Sequence, residues 1–574
     1  MHTFSTSFPG LLHSARKQPW SPLRPLWHWL TQLQELQRLY ERHAHLTGRE
    51  FIGQLLRDLE ITVEYSAADL RRVPVRGAFM ALANHPCGML DGLALLYVLS
   101  EVRPELVMVA NELLTPLLPN LATQLALVSP ERKDAGRNTP GVRQLLRYLH
   151  HDVPLALFPA GAVAHRPTAL RPALDPAWHP TAGRLLAVAR VPVLPIWISG
   201  KNSVSFSLLG MVHPLLRTAR LPAELLNKRG QTVRVRIGQA VPPAELAQLP
   251  VSEQLAYVRA RVQALGAAWQ EAAGHSTLPP VPLRAPGLAE TLAADISALR
   301  PSRCLLRYQS WEVYVAKKAE LPHILPEIGR LRELSFREVG EGTGQEIDLD
   351  QYDEYYQQLF LYNRATGQIV GGYRIGRGRS IVREIGKRGF YLHSLFRMRK
   401  ELLPMLRESL ELGRSFVRPE YQKQPLPLLL LWKGIAEYIA RHPEYRYLIG
   451  PVSISNQFSS VSKQVMKAYL EQHFSDPALA ALVKPRKRYR PLAHPDSEKL
   501  QTGLHSVQDL HKLVAELEPG GIGVPVLLRH YLQQNARIIG FNVDPGFNNT
   551  LDGFLVVDAR ELPARTHHLL KTRP

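Results

Sequence analysis

A histidine and an aspartate within the first hundred residues have the types and spacing of an acid–base pair. The segment Ala83–Gly92 reads ANHPCGMLDG, with five residues between His85 and Asp91. A carboxylate that binds one imidazole nitrogen fixes the ring tautomer and stabilises the imidazolium when the ring takes a proton. The same two residues can instead form a buried polar contact that caps a helix, and the spacing alone leaves both interpretations open.

A second charged cluster lies in the other half of the chain. Asp348, Asp350 and Asp353 fall in the segment QEIDLDQYD, where acidic side chains near the start of a strand can hold an amine. Glu411 and Arg414 belong to the segment ELGR, which we expect to form one face of a helix or one turn. Glu411 is a candidate to receive or relay an amine proton, and a salt bridge to Arg414 is the alternative.

Two arginines and a glycine-rich segment accompany this cluster. Arg337 and Arg374 can clamp a substrate carboxylate in bidentate fashion, or they pair with the neighbouring aspartates inside the fold. The glycines of Gly340–Gly344 lack the preceding strand and the Lys-Ser/Thr ending of a phosphate-binding loop. This segment is therefore predicted to be a turn.

The elements that must position these residues follow two different patterns. In the first part, apolar runs alternate with helical patterns, which predicts an α/β domain with a largely parallel sheet. Its strands are predicted at Leu59–Tyr65, Gly77–Ala83, Pro154–Phe158, Val191–Ile198 and Val233–Ile237, and its helices at Asp91–Leu99, Pro140–Leu149 and Thr181–Arg190. The second part has strands predicted at Tyr355–Asn363, Ile369–Ile375, Tyr447–Val452 and Phe554–Val557, and helices at Leu395–Leu402, Leu428–His442 and Ser459–His473.

Length and a proline-rich break both indicate two domains. The chain has 574 residues, whereas a single core rarely grows beyond ~250–300 residues. Four prolines fall between Ser276 and Gly287, and repeated prolines interrupt helices and strands alike. We predict an amphipathic helical region at 1–48, an α/β domain at 49–275, a linker with a lead-in helix at 276–300 and a second domain at 301–574.

Composition excludes several classes of protein and favours an anionic partner. Lys and Arg total 70 against 50 for Asp and Glu, a net charge of +20. The basic segments Arg374–Arg388 and Lys484–Arg490 fit an acidic carrier protein or lipid head groups, or are simply solvated faces. No aromatic-interleaved module accompanies them, so no nucleic-acid partner is predicted. Cys87 and Cys304 are too few for a disulfide framework or a multi-cysteine metal site, and no metal is predicted.

The start of the chain bears on membrane contact. We recognise no secretory signal there, and no apolar run reaches the ~18–20 residues that span a bilayer. Trp20, Trp27 and Trp29 border an apolar stripe interspersed with arginines, which is typical of a helix lying in a membrane interface. Packing of that helix on its own domain is the alternative. The predicted location is cytoplasmic, peripheral on the inner face of the cell membrane.

The turn around His85 resembles the lysophospholipid acyltransferase superfamily, in which an Asn-His block is followed by Asp. Three further blocks support the resemblance in the family's order: PERKDAGR at Pro130–Arg137, FPAGAV at Phe158–Val163 and VLPI at Val193–Ile196. The stretch Ile198–Phe206 looks like the subgroup that acylates amino-acid lipids. The resemblance implies that His85 and Asp91 are catalytic and that the substrate is bound by Asn84, Gly88, Arg132, Lys133, Phe158, Pro159 and Gly161.

Two departures from the family pattern concern this first site. The family usually has four residues between His and Asp, but the amino-lipid subgroup shares the five found here. The Phe-Pro block commonly carries a glutamate, whereas this chain has Ala160 and Ala162. Any acidic role for this block is therefore in question. Cys87, which has no visible catalytic partner, is interpreted as a packing residue.

The segment from Phe336 to about Pro563, including FNVDPGFNNTLDG at Phe541–Gly553, resembles the amino-acid N-acyltransferases that make lyso-ornithine lipid. These proteins, often labelled hemolysin, are relatives of the GNAT acetyltransferases and the autoinducer synthases. The matching positions are Arg337, Asp350, Asp353, Arg374, Glu411 and Arg414. The resemblance implies a GNAT/autoinducer-synthase-like α+β domain, no bound cofactor, acyl carrier protein (or CoA) as the carrier of the acyl donor, and a small amino acid as acceptor.

Together the two resemblances imply a bifunctional ornithine lipid (aminolipid) synthase that works at a membrane lipid surface. The C-terminal domain would N-acylate an amino acid with a 3-hydroxyacyl chain, and the N-terminal domain would then O-acylate the hydroxyl. One alternative is a glycerophospholipid (lysophosphatidic acid) acyltransferase with an accessory GNAT-like domain. An alternative of another class is a non-catalytic basic membrane-surface protein.

Overall fold

Two separate β-sheets organise the chain in a computed structural model that describes residues 31–111, 119–128, 138–165, 175–272, 281–491, 497–564 and 566. The described residues of Met1–Trp269 and His494–Gly503 form one unit, and those of Gln270–Ala493 and Leu504–Pro574 form the other. Each sheet belongs to one unit. Among the described helices, none combines the length and the apolar character needed to cross a bilayer.

The first unit is an α/β fold around a seven-stranded sheet. Its strands are β1 (Thr62–Glu64), β2 (Met80–Ala83), β3 (Val107–Asn111), β4 (Leu125–Val128), β5 (Leu155–Leu157), β6 (Val193–Ile198) and β7 (Thr232–Ile237). The helices up to its end are α1 (Leu33–Arg42), α2 (Gly48–Asp58), α3 (Ala67–Leu70), α4 (Met89–Leu99), α5 (Asn138–His150), α6 (Pro180–Ala189), α7 (Val204–Val212), α8 (Pro214–Leu226), α9 (Pro243–Leu246) and α10 (Val251–Ala272).

The sheet has the order β1-β7-β6-β2-β5-β3-β4, and its pairs are parallel except for β6 with β7. The largely parallel sheet predicted from the alternating pattern is therefore confirmed. The four residues of β2 are completely buried, and α4 buries every residue except Tyr97. A fully buried strand followed by an almost fully buried helix places the turn between them at the centre of the unit.

Two strands of this sheet have no counterpart in the sequence prediction, and four are shorter than predicted. β3 and β4 are apolar runs of five and four residues, too short to separate from buried helix by periodicity alone. The strand predicted at Leu59–Tyr65 is reduced to β1, because Leu59 closes α2 as its C-terminal cap.

The second unit is an α+β fold around an eight-stranded sheet. Its strands are β8 (Cys304–Tyr308), β9 (Trp311–Lys317), β10 (Gln357–Asn363), β11 (Gln368–Arg377), β13 (Ser409–Val417), β14 (Tyr447–Ile454), β16 (Arg537–Asp544) and β17 (Thr550–Asp558), and β12 (Phe396–Met398) with β15 (Val483–Pro485) forms a separate pair. Its helices are α11 (Ala289–Ala298), α12 (Ile324–Glu338), α13 (Gly378–Glu384), α14 (Tyr391–Leu395), α15 (Leu403–Arg407), α16 (Pro425–Arg441), α17 (Ser460–His473), α18 (Pro477–Ala480), α19 (Val507–Leu517) and α20 (Val526–Leu532).

Two local predictions in this unit are wrong. The helix predicted at Leu395–Leu402 is interrupted by β12, in which Phe396 and Met398 are buried and Arg397 is exposed. That alternation is the period of a strand rather than of a helix. The segment ELGR lies in β13, so Glu411 and Arg414 do not share one helix face.

The centre of the eight-stranded sheet, with order β16-β17-β14-β13-β11-β10-β9-β8, is locally irregular. β13 and β14 are parallel, and their pairing covers only three residues of each strand, ending with Glu411 opposite Ile449. In the pairing of β13 with β11, the register shifts between Gly372 and Arg374 of β11. At the same point of β13, Arg414 adopts a left-handed conformation with φ 49°. A bulge of this kind bends a strand and redirects its side chains. The two strands therefore part beside Arg414.

Candidate active sites

The buried carboxylate of Asp91 holds His85 at the end of β2. Asp91 Oδ2 lies 2.9 Å from His85 Nδ1 and accepts hydrogen bonds from the backbone N–H groups of Cys87 (2.7 Å) and Gly88 (2.8 Å). Asp91 is fully buried, whereas the His85 side chain is 17% exposed. Asp91 thus caps α4 and orients the imidazole at once, so the two interpretations of this pair are compatible. The contact through Nδ1 leaves Nε2 to exchange a proton with a substrate.

Neighbouring contacts fix the backbone on both sides of the histidine. Asn84 forms a reciprocal pair with the backbone of Ile198 on β6, donating to its carbonyl at 2.9 Å and accepting from its N–H at 2.7 Å. The side chain of Asn84 therefore joins two strands. At Gly88, φ is 84° and an added Cβ would lie 2.6 Å from Leu221 Cδ2, so this position requires glycine.

The Phe-Pro block packs directly on the imidazole ring of His85. Phe158 stacks on His85 with a centroid distance of 4.1 Å and an interplanar angle of 15°. Pro159 accepts a hydrogen bond at its carbonyl from His179, and Gly161 has φ 63° and donates to the carbonyl of Phe158 at 3.0 Å. The block therefore forms one wall beside the imidazole.

Sequence reasoning did not find Asp175, which the fold brings to the same turn. Its carboxylate accepts from His85 N at 3.1 Å and from Trp178 Nε1 at 3.1 Å, and burial raises its pKa. The predicted residues Arg132 and Lys133 lie outside the described residues. Cys87 is buried and burial raises the pKa of its thiol, which agrees with its interpretation as a packing residue.

The second unit contains a polar cleft of about 620 Å³ beside the bulge of β13. Its charged and polar walls include Asp348, Asp350, Tyr391, Arg414, Arg486, Lys487, Asn542 and Asp544. The acidic side chains come from the loop before β10 and from the end of β16. Because both signs of charge line the cleft, it can take a zwitterionic or amine-bearing ligand.

A chain of polar contacts crosses this cleft from Arg414. Its Nε lies 2.8 Å from Asp348 Oδ2, and its Nη1 donates to the hydroxyl of Tyr391 at 3.2 Å. Tyr391 in turn donates to Asp544 Oδ2 at 2.8 Å. The bulge in β13 is what turns Arg414 towards these partners. Tyr391 and Asp544 had no predicted role, although Asp544 lies in the quoted segment FNVDPGFNNTLDG.

Glu411 is buried behind this cleft and is not among the residues that line it. Its carboxylate accepts from the Tyr356 hydroxyl and from the backbone N–H groups of Tyr391 (3.0 Å) and Leu392 (2.6 Å). Burial outweighs these hydrogen bonds and raises the pKa of Glu411 to about 7. Glu411 thus caps α14, contacts the backbone N–H of the cleft-lining residue Tyr391, and forms no salt bridge with Arg414.

Arg374, Asp350 and Asp353 form a buried ionic network. Arg374 Nη1 lies 2.5 Å from Asp350 Oδ1 and 3.2 Å from Asp353 Oδ2, and Arg332 Nη1 lies 3.0 Å from Asp353 Oδ1. The guanidinium of Arg374 also contacts the rings of Tyr352, Tyr356 and Tyr391. Arg374 is 1% exposed. The structure therefore favours pairing within the fold over direct capture of a substrate carboxylate.

Arg337 lies away from the cleft, beside the glycine-rich segment. It pairs with Glu333 at 2.8 Å and donates to the carbonyl of Gln345 at 2.7 Å. Glu333 accepts hydrogen bonds from the backbone N–H groups of Thr343 and Gly344. Gly340–Gly344 is thus a turn around a buried carboxylate of the protein itself, as the sequence predicted.

Further acidic groups lie next to the cleft and were missed by sequence reasoning. Burial raises the pKa of Glu341 to about 7. Burial, Asp544 and Glu341 together raise the pKa of Asp552 well above its ordinary value. Asp552 lies on β17 opposite Ser453 of β14. In the described part of the chain, no three His, Cys, Asp or Glu side chains are placed to hold a metal ion.

The parting of β13 and β14 leaves a small apolar slot of about 10 Å³ on the sheet, which is room for at most one water molecule. The slot is lined by Leu412, Trp432, Leu448, Ile449, Gly450, Pro451, Tyr531, Leu555 and Val557. Gly450 approaches the carbonyl of Leu412 so closely that a side chain there would collide with it. The polar cleft has the volume and the charges to hold a polar acceptor, whereas the slot has no room for an acyl chain.

Comparison with known proteins assigns an acyltransferase class to both parts of the chain. Residues 13–271 match the family described as Acyltransferase, and residues 331–432 match the Acetyltransferase (GNAT) domain. The chain is an enzyme that transfers acyl groups, and the expected fold class, an acyltransferase α/β domain followed by a GNAT-like domain, is confirmed.

Three relatives place the chain more narrowly. A glycine Nα-acyltransferase of Phocaeicola vulgatus is 30% identical over 298 residues, which are 48% of this chain and 89% of that protein. A lyso-glycine lipid O-acyltransferase of Bacteroides thetaiotaomicron is 26% identical over 34% of this chain and 71% of that protein. An L-ornithine Nα-acyltransferase of Brucella abortus is 34% identical over 19% of this chain and 43% of that protein. The chain belongs to the family of the first of these acyltransferases.

The buried network predicts the effect of removing one charge. Asp353→Asn leaves Arg332 and Arg374 buried with less compensation, so we expect the free energy of unfolding to fall by about 3–5 kcal/mol. Glu354→Gln is the matched control, since its partner Lys318 is exposed and such a pair is worth about 0–1 kcal/mol. Denaturant unfolding at pH 7 measures both changes. Equal effects of the two variants would contradict the structural role of Asp353.

The same network predicts a dependence on acid. Against the penalty of burial, Arg332 and Arg374 lower the pKa of Asp353 to about 2, below the value of about 3.9 in an unfolded chain. Its contribution to stability is therefore complete above about pH 4 and is lost as the pH falls towards 2. As the pH falls from about 4 to 2, the free energy of unfolding should decrease more steeply for the wild type than for Asp353→Asn. An equal dependence of the free energy of unfolding on pH in both proteins would contradict the lowered pKa of Asp353.

Proposed function

We infer that the chain makes an ornithine-type aminolipid in two steps, by N-acylating an amino acid and then O-acylating the product. The observation that carries the proposal is the presence in one chain of two acyltransferase domains whose relatives bear names for these two consecutive steps. An Nα-acyltransferase leaves an acyl amide, and a lyso-lipid O-acyltransferase consumes one. The buried His85–Asp91 pair and the polar cleft beside Arg414 are the two proposed sites.

In the proposed first step, the α-amine of an amino acid attacks the thioester carbonyl of a 3-hydroxyacyl donor. The N–C bond forms as the C–S bond breaks, the carrier leaves as a thiol, and the amine loses a proton. Asp544 supplies negative charge for the ammonium group, and Arg486 and Lys487 supply positive charge for the amino-acid carboxylate. The apolar slot at the parting of β13 and β14 would have to widen to admit the acyl chain, because its volume is about 10 Å³.

In the proposed second step, His85 Nε2 takes the proton of the 3-hydroxyl group as its oxygen attacks a second acyl thioester. The new C–O bond replaces the C–S bond, and the imidazolium returns the proton to the leaving thiolate. The Asp91 carboxylate stabilises the imidazolium that forms between these events. Acyl carrier protein, or CoA, would carry the donor in both steps, and the acceptor of this step would lie in the inner face of the cell membrane.

His85→Ala should abolish the second step and leave the first. Cells that express this variant should accumulate the mono-acylated lyso-lipid, because the two sites belong to different units. Mass spectrometry of lipid extracts from a bacterium without aminolipids measures both products. Cys87→Ala, in the same turn but without a proton-transfer role, should keep the diacyl product. Soluble His85→Ala protein that makes no lyso-lipid would contradict the assignment.

Glu411→Gln should abolish or strongly reduce lyso-lipid formation. If Glu411 relays the amine proton, the wild-type rate of N-acylation should rise through about pH 7, where its carboxyl group ionises, and the variant should lack this rise. Supplied lyso-lipid should still be converted to diacyl product through His85. Glu408→Gln, at an exposed position beside β13, is the control. A folded Glu411→Gln protein with the wild-type pH profile would show that Glu411 only caps α14.

Isotope labelling identifies the amino acid. Growth of the same bacterium with labelled ornithine or labelled glycine should place one label in the lipid head group. Incorporation of either label would keep the two-step proposal and identify its amino-acid substrate. Accumulation of phosphatidic acid without any aminolipid would instead favour a glycerophospholipid acyltransferase, and an unchanged lipid extract with intact membrane binding would favour a non-catalytic protein.

A further inference from the structure

We propose that α7 (Val204–Val212) is a membrane-docking helix that seats the first unit on an anionic lipid surface. Val204, Leu208, Met211 and Val212 are 47–76% exposed, whereas Phe206 on the opposite side is 1% exposed. At about 100° per residue, the four exposed side chains fall within an arc of roughly 100°. An exposed apolar stripe of this width is typical of a helix that lies in a membrane interface.

The stripe differs from the other exposed apolar residues of the chain. Each of the other described helices carries at most one large hydrophobic side chain of this exposure, such as Val188 on α6 or Val251 on α10. Single exposed apolar residues are normal on a protein surface, whereas contiguous ones mark an interaction site. Four such residues on a helix of nine indicate a surface that meets a partner.

The charge around α7 favours an anionic lipid surface as that partner. No Asp or Glu occurs from Ser199 to Ala223, while Lys201 precedes α7 and Arg217 follows it. The stem of Arg217 lies against Gly210 of α7, where an added Cβ would be 2.9 Å from Arg217 Cδ. A cationic side chain with its stem along an apolar helix can reach lipid phosphates while the helix meets the acyl region.

The position of α7 connects this surface to the catalytic turn. Its N-cap Ser203 follows the loop after Ile198, the residue that Asn84 binds beside His85. In the same loop, Gly200 lies against the Sγ of Cys87, and the following helix α8 contributes Leu221 beside Gly88. A lipid acceptor that leaves the bilayer at α7 would therefore arrive next to the acid–base pair. The proposal rests on the proposed function only in taking the acceptor to be a lipid.

Vesicle binding of the full chain tests the apolar stripe. Vesicles of phosphatidylcholine with about a third phosphatidylglycerol should bind the variant Leu208→Asn, Met211→Gln, Val212→Thr at least about tenfold more weakly than the wild type. The control Val75→Thr, Val188→Thr, Val251→Thr removes exposed apolar side chains of the same unit and should bind as the wild type does. This measurement needs no acyl donor or acceptor, so it can succeed where the proposed function fails.

Four further variants keep the test decisive. Lys201→Gln and Arg217→Gln should each weaken binding to the anionic vesicles about fivefold and leave weak binding to pure phosphatidylcholine unchanged. Leu208→Trp should bind more tightly than the wild type and give an additional tryptophan signal quenched by brominated lipids. Replacement of Trp20, Trp27 and Trp29 by Ala reports separately on the start of the chain.

Three outcomes would overturn the proposal. The first is wild-type vesicle binding by the triple α7 variant. The second is a wild-type dimer that this variant converts to a monomer with vesicle binding unchanged, which would make the stripe an interface between two copies. The third is an equal loss of binding by the control variant, which would mean that general surface hydrophobicity governs vesicle binding.

Discussion

A buried carboxylate that accepts backbone N–H groups at the start of a helix anchors each of the two candidate sites. Asp91, in the first turn of α4, accepts the N–H groups of the two residues that precede this helix. Glu411, on β13, accepts the N–H groups of the first two residues of α14. The first N–H groups of a helix lack intrahelical partners, so a carboxylate is well placed to satisfy them. In each unit the helix start, the neighbouring strand and the site residues are thereby held together by one acidic group.

The two carboxylates differ in what they can do because their surroundings differ. Asp91 contacts an imidazole that is partly exposed, so its negative charge acts directly on a group that can meet substrate. Glu411 contacts a tyrosine hydroxyl and backbone only, and burial raises its pKa towards neutrality. The first arrangement orients a base, whereas in the second the Tyr356 hydroxyl is the contact through which a proton can pass.

Charge is distributed very unevenly within the second unit. Arg332, Arg374 and Arg414 are buried and neutralised by Asp348, Asp350 and Asp353. Buried pairs of this kind are costly to break, and they specify geometry more than they add stability. Their role here is to hold Tyr352, Tyr356 and Tyr391 around the cleft while Asp544, Arg486 and Lys487 remain at its walls for a ligand.

The sequence by itself determined the parts of this protein that depend on local pattern. The alternation of apolar strands and helices predicted the parallel sheet, and the order of the motif blocks predicted two acyltransferase domains. The pairing of His85 with Asp91 also followed, because both residues belong to one short strand-to-helix turn. These features depend on residues that are close together in the sequence, so contacts between distant residues do not alter them.

Only the tertiary structure decided which charged residues face a ligand and which face each other. Arg374 and Arg337 look equivalent in sequence, yet one is enclosed by three tyrosines and the other supports a turn around Glu333. Tyr391, Asp544 and Asp175 became visible as site residues only when separate strands and loops were brought together. The physical reason is that burial and pairing of charge depend on contacts between residues far apart in the chain, on which local periodicity carries no information.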